Sequence, residues 1–155
     1  MKRHLGESRD HFARRAFMQR TGAAIKNHHV RALKVKATVG YTLDDVRNLV
    51  RAEIGKPCPY CAERIHTRNF SLDHAQPVSR NGDWALANMK VCCLHCNRMK
   101  GALTAVEFMG LMDFLRSLAP EAATDVKRRL SAGGTAMMNW KRASFQRRQQ
   151  QEASK

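Results

Sequence analysis

The sequence predicts an α+β fold, in which a small strand-containing core is flanked by α-helices and by basic terminal segments. Strand and turn signals concentrate in a cysteine-rich central block, residues 57–101, and amphipathic helical patterns lie on either side of it. The chain has 155 residues, of which 43% are hydrophobic, so it can bury one modest core. No stretch approaches the roughly 20 apolar residues of a membrane span, so we expect no membrane partner.

Four of the five cysteines form two Cys-x-x-Cys pairs, Cys58 with Cys61 and Cys93 with Cys96. Two such pairs offer the four thiolates of a tetrahedral structural zinc site. This usage suits a reducing compartment better than a secreted disulfide framework, and the N-terminus lacks the apolar run of a secretory signal. We therefore expect a cytoplasmic protein that holds a structural Zn²⁺ ion.

The charge balance is strongly basic, with 28 Lys and Arg against 13 Asp and Glu and a formal net charge of +15. A surplus of this size favours a polyanionic partner, and nucleic acid is the commonest one for a soluble protein. Charge alone does not separate DNA from RNA. The partner class therefore has to be decided by the chemistry of the central block.

The N-terminal part of the chain is basic and weakly helical. We expect Gly22 and the adjacent His28 and His29 to weaken a single long helix there. These two histidines are expected at the surface, as is His66. A second helix is predicted to begin after Thr42, an N-cap residue that is followed by acidic side chains.

Helical signals resume after the central block. Thr104 and Glu107 form a capping box, which opens a helix whose apolar face is expected to pack on the core. A further helix is predicted from about residue 121 to 130, with Gly133 and Gly134 ending it, and the tail beyond is expected to be flexible. We therefore divide the chain into a basic, partly helical segment, a central domain with flanking helices, and a basic flexible tail, at residues 1–40, 41–131 and 132–155.

The residues between the cysteine pairs predict a second, catalytic site. A strand-like run leads into Asp73 and His74, and Asn97 directly follows Cys96. Asp73 and Asn97 offer oxygen ligands of the kind that Mg²⁺ prefers. Neighbours in an extended segment point to opposite sides, so His74 can act as a general base on water while Asp73 holds an ion. Water, base and divalent ion are what phosphodiester hydrolysis requires.

Together these residues resemble the zinc-stapled form of the HNH endonuclease motif. The pattern spans roughly residues 57–104 and reads Asp73-His74-x-x-Pro77-x-Ser79-Arg80-x-Gly82, then Asn88, then Cys93-x-x-Cys96-Asn97-x-x-Lys100-Gly101. Thirteen residues separate His74 from Asn88 and eight separate Asn88 from Asn97, which fits the family's spacing. Two positions depart from the usual pattern, since Asn97 replaces a histidine and Asn81 replaces the first glycine of a pair.

The resemblance implies a ββα-metal core in which His74 is the general base and Asn88 is the supporting asparagine of the catalytic site. It implies that Asp73 and Asn97 bind the catalytic divalent cation, Mg²⁺ or Mn²⁺. Contacts with nucleic acid are expected from three basic residues, Arg80, Arg98 and Lys100.

The family pattern also bears on the register of the second zinc-ligand pair. On spacing alone, Cys92 with His95 is as good a pair as Cys93 with Cys96. The resemblance favours Cys93 and Cys96, which leaves Cys92 as a core residue. Trp84 is likewise expected to fill the core rather than to stack on a base.

These expectations combine into a metal-dependent endonuclease that hydrolyses DNA phosphodiester bonds by a one-metal mechanism, with double-stranded DNA as substrate and a bacterial or phage-infected cell as setting. One alternative is a zinc-stabilised DNA-binding protein with weak or partner-dependent cleavage, and another is an RNA-cleaving nuclease. Intact Asp73, His74 and Asn97 argue against pure binding. The sequence leaves open whether the protein acts as a homodimer or with a protein partner.

Overall fold

A computed structural model describes residue 4, residues 6–34 and residues 39–153 of the chain. Within these residues the model has five α-helices and two β-strands. Their bounds are α1 Arg9–Lys34, α2 Leu43–Glu53, β1 Phe70–His74, β2 Met89–Cys93, α3 Leu94–Lys100, α4 Ala105–Ser117 and α5 Pro120–Ala153. None of the described helices is long and apolar enough to cross a membrane.

The two strands form an antiparallel hairpin that leads directly into a helix. Phe70 pairs with Cys93 at one end of the ladder, and His74 pairs with Met89 at the other. Helix α3 starts at Leu94, immediately after β2, and packs against both strands. The predicted α+β fold with a ββα core is confirmed.

The predicted helix after Thr42 and the predicted capping box at Thr104 are both present. Thr42 accepts a hydrogen bond from the backbone N–H of Asp45, whose side chain accepts one from the Thr42 N–H in return. Thr104 and Glu107 make the same reciprocal pair at the start of α4. The apolar faces of both helices are buried in one core, which they share with the hairpin. Side-chain caps and burial of an apolar stripe together explain why these two segments are helical.

Two residues that were assigned to the core are buried there. Cys92 is inaccessible to solvent and Trp84 is 6% exposed. His28, in contrast, is also buried, at 6% exposure, so the prediction of a surface position for this histidine is wrong. The physical reason is that α1 lies along the hairpin and presents Ile25, His28 and Ala32 to the protein interior.

Two helices continue through glycines at which the sequence predicts a weakened helix or a helix end, and the predicted end at Gly133 and Gly134 is wrong. Helix α1 continues through Gly22, because burial of Thr21 and Ile25 outweighs the roughly 1 kcal/mol that glycine costs in a helix. Helix α5 continues through Gly133 and Gly134. A Cβ atom at Gly134 would lie 2.1 Å from the carbonyl oxygen of Arg98, so this glycine permits a close helix contact rather than ending a helix.

The division of the chain at residues 40 and 131 stays a prediction, as does the flexibility of the tail. Residues 1–3, 5, 35–38, 154 and 155 lie outside the described part of the chain.

Candidate active site and zinc centre

The four paired cysteines come together at one end of the hairpin. Their Sγ atoms all lie within 4.8 Å of one another, and the Sγ atoms of Cys61 and Cys93 are 3.7 Å apart. A tetrahedral zinc ion with Zn–S bonds of about 2.3 Å holds its sulfurs about 3.8 Å apart. The cluster therefore fits a structural zinc ion, and it uses Cys93 and Cys96 rather than Cys92 and His95.

Local backbone geometry explains how each pair is presented. Ala62 has a positive φ of 63° and donates its N–H to the Cys58 carbonyl, which closes a tight turn around the first pair. In the second pair, Cys93 ends β2 and its Sγ accepts the backbone N–H of Cys96 at 3.4 Å. In both turns the backbone folds around the cysteine Sγ atoms, which is the arrangement of a zinc knuckle.

The electrostatics of the cluster favour a thiolate at Cys58. The thiols of Cys93 and Cys96 donate to this sulfur, which lowers the pKa of Cys58 far below its ordinary value and raises the pKa values of the other two. A divalent cation would be attracted to the Cys58 thiolate, and its binding would release the protons of the neighbouring thiols.

Asp73 lies buried at the end of β1 between two donors. Lys100, on the last turn of α3, donates from Nζ to Asp73 Oδ1 at 3.0 Å and to the His74 carbonyl at 2.8 Å. Tyr60 donates its hydroxyl to Asp73 Oδ2 at 2.9 Å. Burial raises the pKa of the Asp73 carboxyl, against the lowering effects of Lys100 and Tyr60. The carboxylate is held firmly, and a positive charge is already accommodated beside it.

Asn97 sits one turn before Lys100 on the same helix. Its Nδ2 donates to the Ser71 hydroxyl at 2.6 Å and to the Leu72 carbonyl at 3.1 Å, immediately before Asp73 on β1. These bonds fix the orientation of the Asn97 amide group. Its side-chain oxygen is then the atom that faces away from these partners and is available to bind an ion.

Asp73 and Asn97 suit a divalent cation by their chemistry. A carboxylate and an amide oxygen are the hard ligands that Mg²⁺ or Mn²⁺ takes. The ammonium group of Lys100 acts as a stand-in cation on Asp73 Oδ1 and shows that this carboxylate is placed to meet positive charge. An ion bound here would share Asp73 with Lys100 or displace its ammonium.

His74 ends β1 and turns its ring toward a different set of neighbours. The ring stacks on His28 with centroids 4.9 Å apart and an interplanar angle of 22°, and it meets Trp84 edge-on at 4.8 Å. Its Nε2 is buried and has no hydrogen-bond partner among the described residues. Burial, with the positive charges of Arg31 and Lys100, lowers the pKa of His74 to about 4.

Asn88 ties down the loop that follows His74. Its side chain accepts the N–H of Gln76 at 2.8 Å and donates to the carbonyls of Gln76 and Asp83, each at 2.9 Å. Its own backbone carbonyl accepts the N–H of Ala75. The contacts of Asn88 are thus with the backbone of the loop that follows β1.

The three basic residues with predicted nucleic-acid contacts have different surroundings. Arg80 is exposed, but it donates to Glu107 Oε2 at 2.5 Å. Arg98 is half-buried, and its Nε has no partner among the described residues. Lys100 is buried against Asp73, with a side chain that is 1% exposed. Their roles in binding nucleic acid stay predictions.

The geometry therefore collects a four-cysteine centre, an Asp-His pair at the end of β1 and an asparagine on α3 within one ββα unit. Residues 58–103 match the model of the HNH endonuclease family. The match confirms the resemblance inferred from the motif and supports a nuclease function in general, with nucleic acid as the implied partner. Helices α1, α2, α4 and α5 all lie outside the matched HNH segment. No curated protein matches the chain.

Sequence reasoning missed two residues of this site. Tyr60 lies between the first two cysteines and carries no catalytic signature, yet it holds Asp73. His28 lies 46 positions before His74, and nothing in the spacing indicates that the two rings meet. Only the packing of α1 onto the hairpin reveals this contact.

Proposed function

We propose that this protein is a metal-dependent endonuclease that hydrolyses phosphodiester bonds of double-stranded DNA, with His74 as general base. The observation that carries the proposal is the meeting of Asp73 and His74, at the end of β1, with Asn97 and Lys100 on α3. Asn97 bonds to Ser71 and Leu72, and Lys100 bonds to Asp73 and to the His74 carbonyl. The proposed base and the proposed ligands of the ion thus belong to two elements of the HNH segment that are bonded to each other.

His74 has an unprotonated ring nitrogen that is free of a positive charge near pH 7. Its imidazole is neutral near pH 7, because burial and nearby cations lower its pKa. The ring projects to the opposite side of β1 from the Asp73 carboxylate, as alternation along a strand requires. In the proposed reaction, a ring nitrogen of His74 takes a proton from water as the water oxygen attacks phosphorus and the bond to the leaving 3′-oxygen breaks.

The remaining residues hold this arrangement in place. Asp73 and Asn97 are the residues that would hold the divalent ion, which would supply positive charge for the phosphoryl oxygens and the leaving oxygen. Lys100 fixes Asp73 and the His74 carbonyl in one geometry. Asn88 fixes the loop beyond them, so the base and the ligands move little before the reaction.

DNA is the proposed substrate because the formal net charge is +15 and because double-stranded nucleic acid needs phosphate contacts more than stacking platforms. One observation favours the second candidate function, a zinc-stabilised DNA-binding protein with weak or partner-dependent cleavage. The Nε2 atom of His74 is buried, and both oxygens of Asp73 are hydrogen-bonded.

Conversion of a supercoiled plasmid tests the proposal. Wild type, His74→Ala and His66→Ala are each incubated with EDTA, Mg²⁺ or Mn²⁺. His66 is an exposed histidine in the same HNH segment and serves as the matched control. We expect metal-dependent nicking or linearisation by wild type and by His66→Ala, and a loss of about 10²-fold or more in folded His74→Ala.

Three results would overturn this proposal. Undiminished cleavage by His74→Ala would remove the assigned base. Salt-sensitive plasmid binding without conversion in any ion would favour the DNA-binding protein, and cleavage of RNA in a parallel assay without cleavage of DNA would favour the ribonuclease.

A further inference from the structure

Helix α1, which lies outside the HNH segment, reaches the candidate base. We propose that His28 on α1 is a positioning residue, whose ring fixes the orientation of the His74 ring by stacking on it. The inference rests on the proposed function, because it assigns His28 an effect that is exerted through His74.

The first argument is the geometry of the three rings. His28 and His74 lie nearly parallel, with centroids 4.9 Å apart. Trp84 meets both rings edge-on, at 5.1 Å from His28 and 4.8 Å from His74. The His74 ring is therefore in contact with the His28 ring on one face and with the Trp84 indole on another side. A planar side chain in such contacts has little freedom to rotate about its χ2 angle.

The second argument is that His28 is itself fixed. The hydroxyl of Tyr41 lies 3.2 Å from His28 Nδ1, and burial raises the pKa of Tyr41, so the phenol stays protonated and can donate. His28 is kept neutral near pH 7, because burial, assisted by the positive charge of Arg31, lowers its pKa to about 4. A neutral ring that accepts from Tyr41 is a stable platform for the ring of His74.

The third argument is the free-energy cost of burying a histidine at this position. His28 Nε2 is buried without a hydrogen-bond partner among the described residues. A buried polar group without a partner costs roughly 1–3 kcal/mol, which an apolar side chain of similar size would avoid. Packing alone therefore does not account for a histidine here, whereas a flat ring whose Nδ1 contacts the Tyr41 hydroxyl and whose face stacks on His74 does.

A set of four variants tests the inference with the same supercoiled plasmid, measuring kcat and KM. His28→Phe keeps a planar ring, His28→Leu fills the space without one, and Tyr41→Phe removes the hydroxyl that contacts His28. The control is Asn27→Ala, which changes an exposed neighbour on the same helix. Thermal unfolding of each variant shows that it is folded at the assay temperature.

We expect His28→Leu to lower kcat by about 10- to 100-fold with little change in KM, because a misplaced catalytic group slows the chemical step rather than binding. His28→Phe should retain most of the kcat, Tyr41→Phe should lose part of it, and Asn27→Ala should behave as wild type. A purely structural role would instead give His28→Leu and His28→Phe equal kcat values.

The inference is overturned if folded His28→Leu cleaves as fast as wild type, or if His28→Phe is as slow as His28→Leu. Faster cleavage by His28→Leu would also overturn the inference, because it would show that α1 restricts access of the substrate to His74. His74→Ala is measured in the same assay. If it loses activity while the His28 variants give one of these contradicting results, the proposed function stands and only the role of His28 is overturned. A wild type that does not cleave, or a His74→Ala that does, removes the proposed function and this inference together.

Discussion

Lys100 and Asp73 form an ion pair that is almost completely removed from water, with side chains 1% and 5% exposed. Taking two charges out of water is costly, and the pair is tolerated only because further hydrogen bonds satisfy both groups. Lys100 also bonds the His74 carbonyl, and Asp73 also accepts from Tyr60. The charge of this lysine therefore holds the end of β1 against the end of α3.

Replacing Lys100 with methionine should destabilise the protein by about 3–5 kcal/mol, because it leaves the Asp73 carboxylate buried without its cation. The measurement is the free energy of unfolding from denaturant titration. Lys90→Met is the control, since Lys90 pairs with Asp73 across the hairpin but is exposed. Equal stabilities of the two variants would show that the buried pair contributes nothing.

At the level of whole elements, the contact between α3 and α5 depends on a single glycine. Gly134 faces the backbone of Arg98, where a Cβ atom would lie 2.1 Å from the carbonyl oxygen, whereas Gly133 faces open space. Helix α3 carries Cys96, Asn97 and Lys100, so a displaced α5 would disturb the helix that supports the site.

Alanine at these two neighbouring glycines should have opposite effects on the free energy of unfolding. Gly134→Ala should destabilise by about 1–3 kcal/mol, because the helices must move apart. Gly133→Ala should stabilise by up to about 1 kcal/mol, because alanine is the better helix former and meets no atom there. Denaturant titration measures both, and stabilisation by Gly134→Ala would contradict the close contact.

The elements that the sequence predicts well are those specified by local chemistry. Side-chain caps at Thr42 and Thr104 set the starts of α2 and α4, and the two Cys-x-x-Cys pairs form the four-cysteine cluster that their spacing predicts. The lengths of α1 and α5 could not be predicted, because tertiary packing overrides the weak helix preference of Gly22 and Gly134. The approach of α1 to His74 is likewise a tertiary contact, which leaves no spacing signal in the chain.

At the scale of the whole molecule, the four-cysteine centre fits a zinc ion that would link distant segments of the chain. Cys58 lies before the hairpin and Cys93 at its end, so the ion would join segments that are 35 positions apart. A structural zinc site contributes roughly 10–16 kcal/mol of apparent binding free energy, which is comparable to the whole stability of a typical domain.

Cys58→Ser should therefore unfold the central part of the molecule rather than only slow a reaction. The measurements are zinc content by atomic absorption and secondary structure by circular dichroism. Cys92→Ala is the control, because Cys92 is buried beside the cluster but does not belong to it, and this variant should keep one zinc ion per chain. A folded, zinc-free Cys58→Ser protein would contradict the assigned centre.

The cysteine cluster has a further consequence for a chain that has been cut. The loop between β1 and β2 contains Arg80, which is exposed and is followed by Asn81 with a positive φ of 63°. A protease that cleaves after Arg80 would leave Cys58 and Cys61 on one fragment and Cys93 and Cys96 on the other. The bound zinc ion and the β-ladder would then bridge two separate polypeptides, so the nicked protein would remain one particle until its metal was removed.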